Sequence, residues 1–495
     1  MRTALNCTAA LLAVTLNVAP PAGFAAGLPR PGREAGMSVP DSVRSMVDRG
    51  EFTRAGQTLR GFLQKGGLPR SDSAAIAFEI ERLDRIRKDF KLTRDDVLGR
   101  LEPVFGAGAG KALDQYTRDG SLESMVIDGQ RKYFSQAVRN LYLINPAAAR
   151  IKRKGGPAQP DSLQRFLRSY VPAALAQMEN SGSVLGAPTT LHYKYTLTVH
   201  ADAVPPGETI RCWLPYPRTD VRRQTDVRLI RSVPGSCLIS SDAASHKTAY
   251  LEQKAVQGKP ALFSIEVEYR SRAERGSPAA MTPHPGAPSP EIAPFTGERP
   301  PHIVFTPAIR ALSRRLVARE TNKEKIARAF FSWISNNIPW ASAREYSTLP
   351  AIPEYCLENR HGDCGIKTLL FMTLCRLNGI PARWESGWDF PPGNVDMHDW
   401  CEISLDGNTW VPVDQNRGLQ PSNGGDKVRF FYLGGIDSYR LIVNNDYGRD
   451  LYPPKLFPRS ETVDFQRGEV EWKGGNLYFD KWSWHMDVTY PAETL

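Results

Sequence analysis

At 495 residues the chain is too long for one ordinary core, so roughly two to four domains are expected. Its 41% hydrophobic and 23% charged residues, with a mean hydropathy of −0.38, match a soluble globular protein and exclude a bundle of membrane spans. The net charge of +10 raises nucleic acid as a partner. However, Arg82, Arg85, Arg87, Lys88, Lys152, Arg153, Lys154, Arg222 and Arg223 are scattered and not interleaved with aromatics, so no nucleic-acid partner is expected. Weak attraction to anionic envelope surfaces, or a solvated basic face with no partner, remains.

The chain begins on a secretory plan over residues 1–26. Arg2 is the positive start, Ala4 to Val18 the apolar stretch, and Gly23-Phe24-Ala25-Ala26 a small-residue cleavage zone. A retained membrane anchor fits less well, because the apolar stretch is short and Asn6 and Asn17 interrupt it. The protein is therefore expected to be exported, periplasmic or extracellular, with no transmembrane segment after signal removal. Cys7 leaves with the signal, and Cys212, Cys237, Cys356, Cys364, Cys375 and Cys401 remain. An oxidising compartment permits disulfides, and Cys212 with Cys237 is a pair that could form, but this cysteine content is no disulfide scaffold.

Residues 37–185 read as a helical domain. "DSVRSMVDRGEFTRAGQTLRGFLQKGG" opens with Asp41 as a candidate cap and stops at Gly66-Gly67, and Ser71 or Asp72 opens a second helix. From about Leu191 the period changes to two, and residues 186–275 predict an antiparallel β-sandwich. His192 and His200 on one of its strands read as packing or surface residues. Residues 276–300, rich in Pro, Gly and Ser, form a linker or long surface loop. A compact α+β block follows over 301–425. Thr306 before Pro307 caps its first helix, and Thr321 with Glu324 has capping-box spacing for the second. Residues 426–495 form a β-rich C-terminal extension, giving a multidomain α+β chain.

Chemistry concentrates in "HGDCGIKTLLFMTLCRLNGIPAR", residues 361–383. Gly365 to Leu377 is apolar nearly all round and so predicts a buried helix, ended by Asn378-Gly379 and Pro381. Cys364 then stands at the helix N-terminus, where unpaired N–H groups and the dipole favour a thiolate. Cys375 falls among leucines, about 16 Å away by helical rise, too far for a disulfide with Cys364. Ala382 to Trp388 reads as a strand, and "HDWCEISLDGNTWVPVD" as a hairpin turned at Asp406-Gly407. His398 begins one of its strands and Asp414 ends the other, so the two can meet. The chemical reading is a Cys364–His398–Asp414 triad: nucleophile, proton carrier and orienting carboxylate.

"HGDCGIKTLLFMTLCRLNGIPAR", "HDWCEI" and "TWVPVDQNRG" resemble the transglutaminase-like superfamily. The resemblance spans about residues 303–418, including "SWISNNIPW", and implies a papain-like α+β core with Cys364, His398 and Asp414 in the catalytic roles. His361, where an Arg is usual, and Asp399, where a small residue is commoner, depart from the pattern. Asp399 is expected on the other strand face and neutral in its effect. The backbone N–H of Cys364 would bind the oxyanion, and Trp340 is either a second donor or a core residue. The resemblance implies attack on amide bonds through a thioester, resolved by water as in a peptidase or by an amine as in cross-linking. The partner is then a peptide or protein substrate, cell-wall peptide included. Deglycosylation of glycopeptides is also known in the superfamily. A non-enzymatic envelope binding or scaffolding protein is the alternative. No zinc-type Cys/His cluster, acid-rich calcium loop or phosphate-cradling glycine loop is present, so no metal or cofactor is expected.

Overall fold

The structure is a computed structural model that describes residues 39–491 except 157–159, 285 and 422–424. The expected signal segment, 1–26, lies outside the described residues. The chain is a multidomain α+β protein whose apolar side chains gather into three large cores.

The first core belongs to the helices between Asp41 and Lys152, and buries Phe52, Leu59, Leu83, Val97 and Leu101. The opening stretch is two helices, Asp41–Asp48 and Phe52–Lys65, rather than one. Gly50 separates them at φ +78°, and a Cβ there would lie 2.5 Å from the Val126 carbonyl oxygen. Asp41 is the first helical residue and not a cap; likewise the next helix starts at Arg70 after Pro69, ahead of Ser71 and Asp72. Asp128-Gly129, both at positive φ, turn an unexpected hairpin of Ser124–Ile127 and Gln130–Tyr133. The Ser162–Ser181 helix, capped by Asp161, sends Leu167, Val171 and Leu175 into a different core, that of the α+β block.

The second core lies between two antiparallel sheets. One contains Leu185–Val199, Ala261–Arg275 and Gln224–Val233, with Gly435–Ile436 and Trp482–Thr489 at its edges. The other joins Thr209–Pro215, Thr248–Lys254 and Leu238–Ile239 to Glu469–Trp472 and Gly475–Leu477. Strands from the C-terminal extension thus complete both sheets. Period-two alternation is clear in Leu191, Tyr193, Tyr195, Leu197 and Val199, all inward and buried. All six described cysteines are free, Cys212 and Cys237 among them.

The third core packs helices against a four-stranded antiparallel sheet in the order Val411–Val413, Asp396–Ile403, Ala382–Asp389, Arg440–Asn444. The Cys364–Leu377 helix lays Leu369, Leu370 and Leu374 against Trp384, Cys401, Ile403 and Val413. Further along the same sheet Trp388, Leu441 and Val443 enter the sandwich core instead, which ties the two cores together. Thr306 Oγ1 caps the first helix by accepting from Ile309 N at 3.3 Å, as expected. The second is capped by Asn322, one residue beyond Thr321, because Glu320 takes the Thr321 and Asn322 N–H groups. Residues 276–300 run as a loop with one short turn, Ala293–Thr296, and bury Ala280 and Ile292.

Two of the arginines read as solvated are in fact buried, Arg85 and Arg223. Arg223 pairs with Glu274 at 3.2 Å, Glu402 at 3.4 Å and Glu385, tying the sandwich to the four-stranded sheet.

Candidate active site

Asp363 starts the Cys364–Leu377 helix: its Oδ1 accepts from Ile366 N at 3.1 Å and from the Tyr346 hydroxyl at 2.7 Å. Gly379 follows the helix at φ +68°, a left-handed position that suits glycine. Cys364 is the first helical residue, and it lines a cavity of about 850 Å³ together with His398 and Trp340. Cys375 has no exposure and lies among the core leucines.

His398 lies on the neighbouring strand and donates or accepts at Nε2 with Asp414 Oδ2, 2.8 Å away. The register explains the meeting: Cys401 stands opposite Val413, so Asp414 follows at the end nearest His398. Asp414 is fully buried, and its other oxygen accepts from Asn416 N at 3.0 Å and Arg417 N at 2.8 Å. Arg440 Nη2 lies 2.8 Å from Oδ2. Burial alone would push the Asp414 carboxyl up; His398 and Arg440 outweigh it and hold the group well below the usual carboxylate range. Trp400 stacks beside the imidazole, with ring centroids 6.0 Å apart, and its indole N–H donates to Glu385.

The sulfur behaves differently from the expectation. Cys364 Sγ donates to Asp399 Oδ2 at 3.3 Å, and no hydrogen bond joins it to His398. Burial, followed by the Asp399 and Asp363 carboxyls, pushes the Cys364 thiol well above its ordinary value. The helix N-terminus contributes only about half a positive charge, which two adjacent acidic groups offset. Asp399, read as neutral on the far strand face, therefore does reach the Cys364 sulfur. The sequence departure beside His398 marked it; Arg440, Gln466 and Asp464 had no local signature.

Trp340 stands on the cavity wall rather than in the core, half-buried, with the Arg139 guanidinium 5.4 Å above its ring. Part of the lining comes from chain outside 301–425, from Leu143, Leu163 and Leu167. Asn140 fixes that lining by exchanging hydrogen bonds with the Ser342 backbone at 2.8 and 3.0 Å. His361 is buried edge-on to Tyr355, and burial pushes its pKa down to about 4, so a neutral ring replaces the usual Arg. Among the described residues, no group of three or more His, Cys, Asp or Glu is arranged to hold a metal ion.

Residues 310–415 match the family model of the transglutaminase-like superfamily. Similar solved structures include a candidate cysteine protease from Cytophaga hutchinsonii, 16% identical, covering 63% of this chain and 93% of that one at a TM-score of 0.43. The periplasmic domain of TgpA from Pseudomonas aeruginosa, bound to ethylmercury, is 14% identical over 46% of this chain and 89% of its own, at a TM-score of 0.24. No curated protein matches the chain. The matched stretch, residues 310–415, carries the helix that begins at Cys364, the strand with His398 and, just after the next strand, Asp414.

Proposed function

We propose that the protein is an exported cysteine-dependent acyl-transfer enzyme that attacks amide bonds through Cys364, His398 and Asp414. One observation carries this reading: His398, held by the buried Asp414 at 2.8 Å, and a cysteine at a helix N-terminus line one cavity. Cys364 Sγ, as thiolate, adds to the amide carbonyl carbon. The first-turn N–H groups of the helix stabilise the oxyanion. His398 protonates the departing nitrogen, the C–N bond breaks, and a thioester remains. Asp414 holds the ring through Nε2, which leaves Nδ1 for proton transfer. Water or a primary amine then attacks the thioester, His398 takes its proton, and the C–S bond breaks to regenerate the thiol. With water the enzyme is a peptidase or amidase; with an amine it is a transglutaminase.

The substrate is a peptide or protein, cell-wall peptide included, held against the apolar lining of Leu143, Leu163 and Leu167. Export rests on residues 1–26, and no helix among the described residues is long and apolar enough to cross a membrane. Parallel assays of peptide hydrolysis and amine incorporation on an exported-protein or cell-wall peptide library test the reading. Mass spectrometry of the Cys364 peptide should capture the acyl-enzyme.

A second reading, a non-enzymatic envelope binding or scaffolding protein, draws on the thiol's hydrogen bond to a carboxylate, which keeps it neutral at rest. No acyl-enzyme with any peptide amide, alongside tight peptide binding, would favour it.

A further inference from the structure

Asp399 occupies an unusual place for a carboxylate. Its Oδ2 is 3.3 Å from Cys364 Sγ, and its Oδ1 accepts from Gln466 Nε2 at 2.7 Å. The same Gln466 amide donates to the His398 carbonyl at 3.0 Å, so one side chain fixes both strand residues. Gly365 makes the approach possible, since a Cβ there would collide with the Tyr346 hydroxyl and lie 2.7 Å from Asp399 Oδ2. Behind Asp399 stands Asp464, buried and sharing a hydrogen bond with it.

We propose, building on the reading of Cys364 as nucleophile, that Asp399 sets the protonation state of the thiol. As a carboxylate it accepts the S–H hydrogen bond and keeps the sulfur neutral. As a carboxylic acid it donates to the sulfur and stabilises the thiolate. Two buried carboxyls in contact cannot both ionise readily, so the Asp399–Asp464 pair retains a proton between them.

The surroundings are mostly acidic. Asp363 faces the pair from the helix N-cap, Asp396 from the same strand, and Glu461 from the C-terminal segment. Tyr346 approaches from the loop before the helix. The basic side chains nearby are committed elsewhere: His398 to Asp414, Arg417 to Asp389, and Lys367 to Asn416 at 3.3 Å. No cation therefore pairs with Asp399 among the described residues. Burial, reinforced by Asp363, pushes its pKa up to about 7, within the physiological range.

The test is the rate at which iodoacetamide alkylates Cys364, followed by peptide mass spectrometry across pH 5 to 9. In Asp399→Asn the carboxamide keeps the Gln466 contact, removes the charge and donates to sulfur. Alkylation at pH 7.5 should rise about ten-fold, the effect of lowering the thiol pKa by about one unit. The wild-type inflection near pH 7 should vanish. Asp464→Leu should act in the same sense: the hydrogen bond that Asp464 gives lowers the Asp399 pKa, so without it Asp399 keeps its proton to higher pH and alkylation at pH 7.5 rises several-fold. An equal or slower rate in Asp399→Asn overturns the proposal. If that variant does not fold, an unchanged or slower rate at pH 7.5 in Asp464→Leu overturns it. Turnover does not enter this measurement, so an inactive wild type counts against the proposed function alone.

Discussion

Arg440 Nη2 sits 2.8 Å from Asp414 Oδ2, the same oxygen that meets His398 Nε2. The arginine also reaches Asp437 Oδ2 at 2.5 Å, so one fully buried cation compensates two buried carboxylates. Removing one partner of such a group strands the others without water. Arg440→Met should destabilise the protein by about 3–5 kcal/mol in urea denaturation. A loss under 1 kcal/mol would mean that Asp414 and Asp437 find other compensation.

Asp414 also gives the protein a pH signature. Its carboxyl is held below the ordinary range, so its contribution to stability is present above the unfolded pKa of about 3.9 and is lost as pH falls below it. Between pH 5 and pH 3 the wild type should lose stability more steeply than Asp414→Asn. Parallel slopes from denaturation at each pH would contradict the depressed value.

For the chemistry, Cys364→Ala should abolish turnover while the thermal midpoint stays close to wild type. His398→Ala should lower kcat by roughly 10²- to 10⁴-fold, the usual contribution of a positioned acid–base group. Full activity in either variant would move the reaction to other residues.

Cys364 opens onto the cavity, whereas Cys375 has no exposure. Limited iodoacetamide treatment of the native protein should modify Cys364 before Cys375, read by peptide mass spectrometry. Equal labelling of Cys375 would show that the helix opens readily.

Arg223 is the joint between the sandwich and the four-stranded sheet, through Glu274, Glu385 and Glu402. Arg223→Ala should cost about 3–5 kcal/mol. Differential hydrogen exchange should locate the loosening at Glu385 and Glu402 together with Glu274. Protection lost on one side alone would show that the joint does not couple the two.

The Cys364 helix was legible because its signals are local: an unbroken apolar run and an Asn378-Gly379 stop followed by Pro381. The His398–Asp414 meeting was legible because alternation and a turn signal fix which ends of a hairpin coincide. Caps shifted by one to three residues where proline or a competing carboxylate intervened, as at Pro69 and Asn322. The break at Gly50 depends on a carbonyl from Val126, far along the chain, which no local pattern reveals. For the same reason the state of the thiol was misread. Helix position is a local property, but Asp399, Asp464 and Gln466 reach the sulfur through tertiary packing, and their charges outweigh the dipole.

The last strands have a consequence in time. Cys364 is synthesised well before Asp464 and Gln466, and before the Glu469–Trp472 and Trp482–Thr489 strands that finish the two sandwich sheets. The helix that presents the sulfur can form early. Its neighbours Asp399 and His398 gain the Gln466 amide only after residue 466 has been made. A chain interrupted before that point would carry the cysteine without its finished surroundings, so assembly of the site reports completion of the fold.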